Sequence, residues 1–408
     1  MTMRFRGRLS HTCRLPQSSR ERGKRVNPLL LFIVVYGGYN LIGLMNTPWI
    51  ISGAYDKTVC WELFSIGLCG FLAAVFISGK CQSKRREISR RKRTSIQLTI
   101  LFILIFLTCL MSAIVLSGGV PLFLGEERFG NSALAFNLAQ LYGFWVLVRI
   151  ISDCEENKKI RFLQPVIYIL GVLCFGYRTP ILIFLFVVLT YLIVFRFERR
   201  KAFFWGVTSV VFIIAFAAIF SAYRVSQNYD LINFFKNINF LYVDEHKYLL
   251  PFVPALAMFD FSQNTVSTIG SALHDYMYGQ LFLSNYETFL PGKHWGARNI
   301  IGAITSARWV AGRPMSITPT LQGALYVDFG YLGVFFGFFV IAVCINYFWK
   351  QAKNWGALGK FGFCYLLTLS IMAVHNGYWD VGFVFFILFL IIIKIFDALK
   401  GVRPQSTG

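Results

Sequence analysis

Residues 98–116 read LTILFILIFLTCLMSAIVL, an apolar run without a single charge. At about 1.5 Å per residue such a run crosses the ~30 Å hydrocarbon core of a bilayer as one helix. The runs ILIFLFVVLTYLIVF (181–195) and FVFFILFLIII (383–393) read the same way. Of the 408 residues, 56% are hydrophobic and 14% charged, where a soluble chain carries about a quarter charged, and the mean hydropathy is +0.58. The fold class expected is an all-α polytopic membrane protein. Ten spans fit the apolar segments, near 28–52, 58–79, 97–117, 132–151, 162–177, 180–195, 202–222, 322–349, 361–377 and 381–398.

The formal net charge of +21 would fit a nucleic-acid partner, but its distribution excludes one. Eight basic residues precede Asn27, and eight more lie between Lys80 and Arg93. Further clusters sit at 158–161, 196–201 and 350–360, so every second connector is basic. This alternation is the signature of cytoplasmic connectors. It puts both termini in the cytoplasm: a basic tail (1–27), spans one to seven (28–222), an external loop (223–318), spans eight to ten (319–398) and a short tail (399–408). A site on that loop is out of reach of cytosolic nucleotides. None of the nine cysteines falls in the loop, so no disulfide framework holds it. Its aromatic, mixed-polarity composition fits short amphipathic helices at the outer interface.

Charges toward the external face supply the candidate chemistry. Arg178, in Gly176-Tyr177-Arg178-Thr179-Pro180, is the only charge between Arg161 and Arg196. An arginine at that depth calls for an anion, and its planar fork matches phosphate oxygens or one of the carboxylates Glu62 and Asp328. Arg128, Arg224, Arg298, Arg308 and Arg313, with Lys293, face the same side. The histidines His246, His274, His294 and His375 are external on this topology, with Asp260, Asp275 and Asp328 as carboxylate alternatives for a base. No GxxxxGK[ST] loop and no Asp-x-Asp pair occurs, so neither a nucleotide site nor a metal site is expected.

Three stretches carry a resemblance. Ser117-Gly118-Gly119-Val120-Pro121-Leu122-Phe123, the Gly176–Pro180 turn, and Thr318-Pro319-Thr320 with Gly323-Ala324-Leu325-Tyr326-Val327-Asp328-Phe329-Gly330-Tyr331-Leu332-Gly333 resemble the Wzy-type O-antigen and capsule repeat-unit polymerases. The resemblance implies a metal-independent, cofactor-free glycosyltransferase of the polytopic lipid-donor (GT-C-like) class. It implies a polyprenyl-diphosphate-linked oligosaccharide as substrate, the bilayer of the inner membrane as setting, and flippase and chain-length regulator proteins as partners. It would give Arg178 the donor diphosphate, with Arg128, Arg224, Arg298, Arg308, Arg313 and Tyr326 as further binding residues. The base would be Asp328, with His274 and His294 next. The paired RX10G motifs of some polymerases are missing, and the His-Asn pattern of O-antigen ligases is not completed at His375-Asn376, where position 386 is Phe. A ligase, or a flippase without enzymatic activity, are the alternatives.

The topology has a direct test. With single cysteines at Ser284 and Ser89 in a cysteine-free background, an impermeant thiol reagent added outside should label position 284 alone. Labelling of position 89 and not 284 would reverse the orientation.

Overall fold

The computed structural model describes residues 26–45, 55–78, 96–123, 133–159, 161–177, 179–198, 200–208, 253–288, 295–305, 309–310, 313–314, 316–352 and 356–401, with 211, 215 and 290. Most of these residues lie in helices. The helices are α1 (Pro28–Leu44), α2 (Thr58–Ser78), α3 (Ile96–Ser117), α4 (Ala133–Glu155), α5 (Leu163–Cys174), α6 (Thr179–Tyr191, running on as one wide turn to Arg196), α7 (Val253–Ala272), α8 (Gln280–Glu287), α9 (Ala297–Ile304), α10 (Thr320–Ala352), α11 (Ala357–Asn376) and α12 (Gly382–Gly401). Residues 200–208 are also helical. The described strands are one short antiparallel pair, β1 (Trp309–Val310) and β2 (Arg313–Pro314).

Among the described residues, seven helices are long and apolar enough to cross a membrane: α2, α3, α4, α6 with its wide turn, α10, α11 and α12. The apolar helices α1 and α5 are shorter, and most of the expected span 202–222 lies outside the described residues. This is a polytopic membrane protein. Its lipid-facing sides expose Val34, Phe76, Ile77, Leu104, Val115 and Leu116, which in water would be a liability.

The bundle is held by aromatics and close backbones. Phe32 of α1 stacks on Phe71 of α2 at 5.0 Å, and Tyr36 meets Phe338 of α10 at 4.6 Å. A methyl group on Gly70 would lie 2.2 Å from the Phe335 carbonyl oxygen. Glycine there lets α2 and α10 touch backbone to backbone, the way membrane helices gain packing energy. At the end expected to face the cytoplasm, Glu155 of α4 pairs with Lys360 of α11 and accepts from the Tyr191 hydroxyl of α6.

Two features depart from the sequence expectation. First, the loop contains a 20-residue helix, α7, that enters the bundle rather than lying at its surface. Asp260, Ser262, Gln263 and Thr265 are buried. Gln263 Nε2 donates to Asn40 Oδ1 (2.9 Å), which also accepts from Gln322 Nε2 (2.6 Å), and Tyr55 donates to Asp260 (3.2 Å). Polar residues that would read as solvated are instead paired inside through these bonds, while the buried Gln263 and Gln322 side-chain oxygens have no partner among the described residues. Second, α10 is broken at Gly330, where φ is 66° and ψ −157°. The Val327 and Asp328 carbonyls, released from the helical ladder, accept from Met277 N (2.9 Å) and Tyr278 N (2.8 Å) of the loop. Irregular backbone within a span is tolerated where protein buries it and supplies the missing bonds.

Only glycine adopts the Gly330 conformation readily, and an added Cβ would meet the Tyr276 ring at 2.7 Å. Gly330→Ala should cost about 1–3 kcal/mol and lower the melting temperature in detergent. The tryptophan or thiol-dye melt that reads it should show a single, earlier transition.

Candidate functional site

Asp328 lies fully buried near the outer end of α10. Its Oδ1 accepts from Gly279 N (3.1 Å) and Leu281 N (3.0 Å), and its Oδ2 from Phe282 N (3.0 Å) and the Tyr378 hydroxyl (2.5 Å). A carboxylate has about four lone-pair sites, and four donors fill them. Isolated burial of that charge would cost several kcal/mol, while hydrogen bonds to a charged group return about 1.5–3 kcal/mol each. Three of the donors are backbone amides at the start of α8, where the helix dipole also favours a negative charge. Tyr378 is held un-ionised by burial and by the Asp328 charge. The expectation that Asp328 is a general base therefore gives way: no lone pair is left for a substrate proton, and the side chain serves as a clamp on the loop.

The clamp fixes α8, and α8 builds a cleft. Asn285 donates to the Trp379 carbonyl (2.6 Å), tying α8 to the turn between α11 and α12. Below the loop, Ile269, Leu281, Ala297, Ile301, Ala324 and Val327 form a small separate core joining α7, α8, α9 and α10. Between these supports opens a polar cleft of about 530 Å³, its mouth included, lined by Thr179, Asn285, Thr288, Arg298, Asn376, Tyr378, Asp380 and Val381. All of it lies at the end of the bundle that the charge pattern assigns to the exterior.

Arg298 is the cation of this cleft. Its backbone carbonyl is tied to Ile317 N (3.0 Å). Among the described residues its guanidinium makes no hydrogen bond or ion pair. Burial lowers its pKa, opposed by the charge of Asp380 on the same cleft. Tyr286, next to Asn285, has its phenol pushed up to about 12 by burial and by Asp380. Two helices, α6 and α12, begin at or beside lining residues, so two dipole-positive ends face the same space. The arrangement can hold a large anion and orient hydroxyl-bearing groups with Asn and Thr.

The other expected residues divide. Tyr326 packs between Tyr276 (6.0 Å) and Tyr331 (5.2 Å), and Tyr331 donates to Glu62 (2.7 Å); Tyr326 does not line the cleft. His274 is exposed and away from the lining. Arg313 enters β2 through its backbone. Arg128, Arg178, Arg224, Arg308, His294 and the side chain of Arg313 lie outside the described residues. Sequence reading missed Asn285, Thr288, Asn376, Tyr378 and Asp380 as lining residues. His375, one of the external histidines weighed as a base, has a neighbour, Asn376, that lines the cleft, and its Nδ1 lies 2.6 Å from the Tyr39 hydroxyl.

The family described as "Putative O-antigen polymerase" matches residues 28–389. The chain belongs to the O-antigen polymerase family. With that comes a role in O-antigen polymerisation, a glycosyltransferase-like polymerising activity and a lipid-linked oligosaccharide substrate in a membrane. An uncharacterized protein of Methanocaldococcus jannaschii is 22% identical over 284 residues, 69% of this chain and 71% of the relative. No solved structure matches this polymerase-family chain.

Asn at position 328 would turn an amide NH₂ toward backbone donors. Asp328→Asn should lower stability by about 2–4 kcal/mol and loosen the loop, read as faster proteolysis within 273–288. An unchanged melting curve and digestion pattern would remove the clamp.

Proposed function

We propose that this chain transfers a growing glycan from a polyprenyl diphosphate onto a sugar hydroxyl of a fresh lipid-linked repeat unit, at the outer face of the inner membrane and without a metal. The observation that carries the reading is Arg298, a guanidinium without a protein partner among the described residues, facing an open polar cleft. Arg178 precedes Thr179 of that lining by one peptide bond and is the second diphosphate ligand in this proposal. Arg128, Arg224, Arg308 and Arg313 are further cationic candidates on the same side.

The acceptor hydroxyl oxygen attacks the anomeric carbon as the bond from that carbon to the diphosphate oxygen breaks. Both electrons of the broken bond leave with the diphosphate, whose charge the arginines balance. One base takes the hydroxyl proton, and the leaving group needs no acid. Asp328 has no acceptor capacity left, His274 is exposed away from the cleft, and His294 remains a candidate. His375, beside Asn376 of the lining, has support of its own in the structure, and we assign it the base role. Flippase and chain-length regulator proteins are partners consistent with this location.

Arg298→Lys keeps the charge and loses the fork. In a purified assay with lipid-linked repeat units, polymer formation should fall about 10- to 100-fold, the equivalent of one charge-assisted hydrogen bond. Expression and melting temperature should stay unchanged. A fully active lysine variant would take Arg298 out of the donor site, and transfer to a non-repeat acceptor alone would favour a ligase.

A further inference from the structure

Behind His375 runs a line of short contacts that reaches across three helices. The Met258 carbonyl oxygen of α7 is 2.8 Å from Ser262 Oγ, Ser262 Oγ is 2.8 Å from the Tyr39 hydroxyl oxygen of α1, and that oxygen is 2.6 Å from His375 Nδ1 of α11. Longer approaches of 3.5 Å (Tyr39 to the Met258 carbonyl) and 3.4 Å (Ser262 to Nδ1) add little. Tyr39 and Ser262 are both buried.

Counting protons gives the line a direction. Each of the three short gaps separates two lone-pair-bearing atoms, so each needs one hydrogen to be attractive. A carbonyl supplies none, a serine hydroxyl one and a tyrosine hydroxyl one. Two protons cannot fill three gaps, so the third comes from the imidazole. Ser262 donates to Met258, Tyr39 donates to Ser262, and His375 Nδ1–H donates to Tyr39. Reversing the line would leave Ser262 Oγ and the Met258 carbonyl 2.8 Å apart with no hydrogen between them.

We propose that Tyr39 and Ser262 are positioning residues that hold His375 with its proton on Nδ1, so that the neutral ring carries its lone pair on Nε2. A base must have an unprotonated nitrogen, and an imidazole in the wrong tautomer presents a donor where an acceptor is required. This inference rests on the reading of His375 as base for its functional meaning, but the tautomer itself does not depend on that reading. The line also ties α7, a helix of the external loop, to α1 and α11, so docking of the loop and the protonation pattern of the histidine are set together.

The test is nitrogen NMR of the full-length protein in nanodiscs with ¹⁵N-labelled histidine, above the imidazole pKa. The chain has five histidines, and the His375 signals are those lost in His375→Gln. The expected result is a protonated-type shift at Nδ1 and an unprotonated-type shift at Nε2. In Ser262→Ala the Tyr39 proton is released and can turn toward Nδ1, so the opposite tautomer should become dominant. A wild-type ring protonated at Nε2, or a Ser262→Ala pattern identical to wild type, would overturn the proposal. In the polymerisation assay Ser262→Ala should lower kcat about 100-fold at constant KM, the lower end of a general base's contribution. If the tautomers behave as expected and His375→Gln keeps full activity, the base assignment fails and the proton order stands.

Discussion

The outer end of this protein hangs on one buried carboxylate. Asp328 gathers three backbone amides and a phenol from two separate parts of the chain, the start of α8 and the turn after α11. Its charge could not stay buried without them, and the three amides would be orphaned donors without it. That mutual need is why the loop has a defined position against the bundle with no disulfide to hold it. Arg298, Asn285 and Thr288 reach the cleft on helices that this contact and the small core beneath it orient.

The far end is organised by a different kind of contact. Glu155, Lys360 and Tyr191 join α4, α11 and the end of α6, and Arg196 donates to the Cys154 carbonyl (2.6 Å) and to Asn157 (3.0 Å). Charges there are joined in direct contacts, while at the cleft Arg298 and Asp380 share the lining with no hydrogen bond or ion pair between them among the described residues. The contrast separates a scaffold end from an end available to a ligand.

Apolar spans were the legible part of the sequence, because 19 uncharged residues admit few interpretations. Helix α7 was not legible. Its buried Gln263 and Asp260 look like solvent-facing residues until Asn40 and Tyr55, more than two hundred positions away, are seen to bond to them. The Tyr-x-Asp-Phe-Gly stretch was noticed but assigned to chemistry, since the partners of Asp328 are mainly backbone amides, which leave no trace in side-chain patterns. Arg298 stood out only as one of several external arginines; burial in a polar cleft distinguishes it. His375 was one of four external histidines with nothing in the sequence to rank it, because its contacts to Tyr39 and Ser262 come from other helices.

The break at Gly330 has a mechanical consequence. The inner part of α10, from Tyr331 to Ala352, is long enough to meet the hydrocarbon by itself and must tilt as bilayer thickness varies. The outer ten residues, Thr320–Phe329, are bonded to loop segment 277–282 and turn with it instead. Within α10, the glycine joint lets the inner part follow the lipid while the outer part keeps its place against the loop.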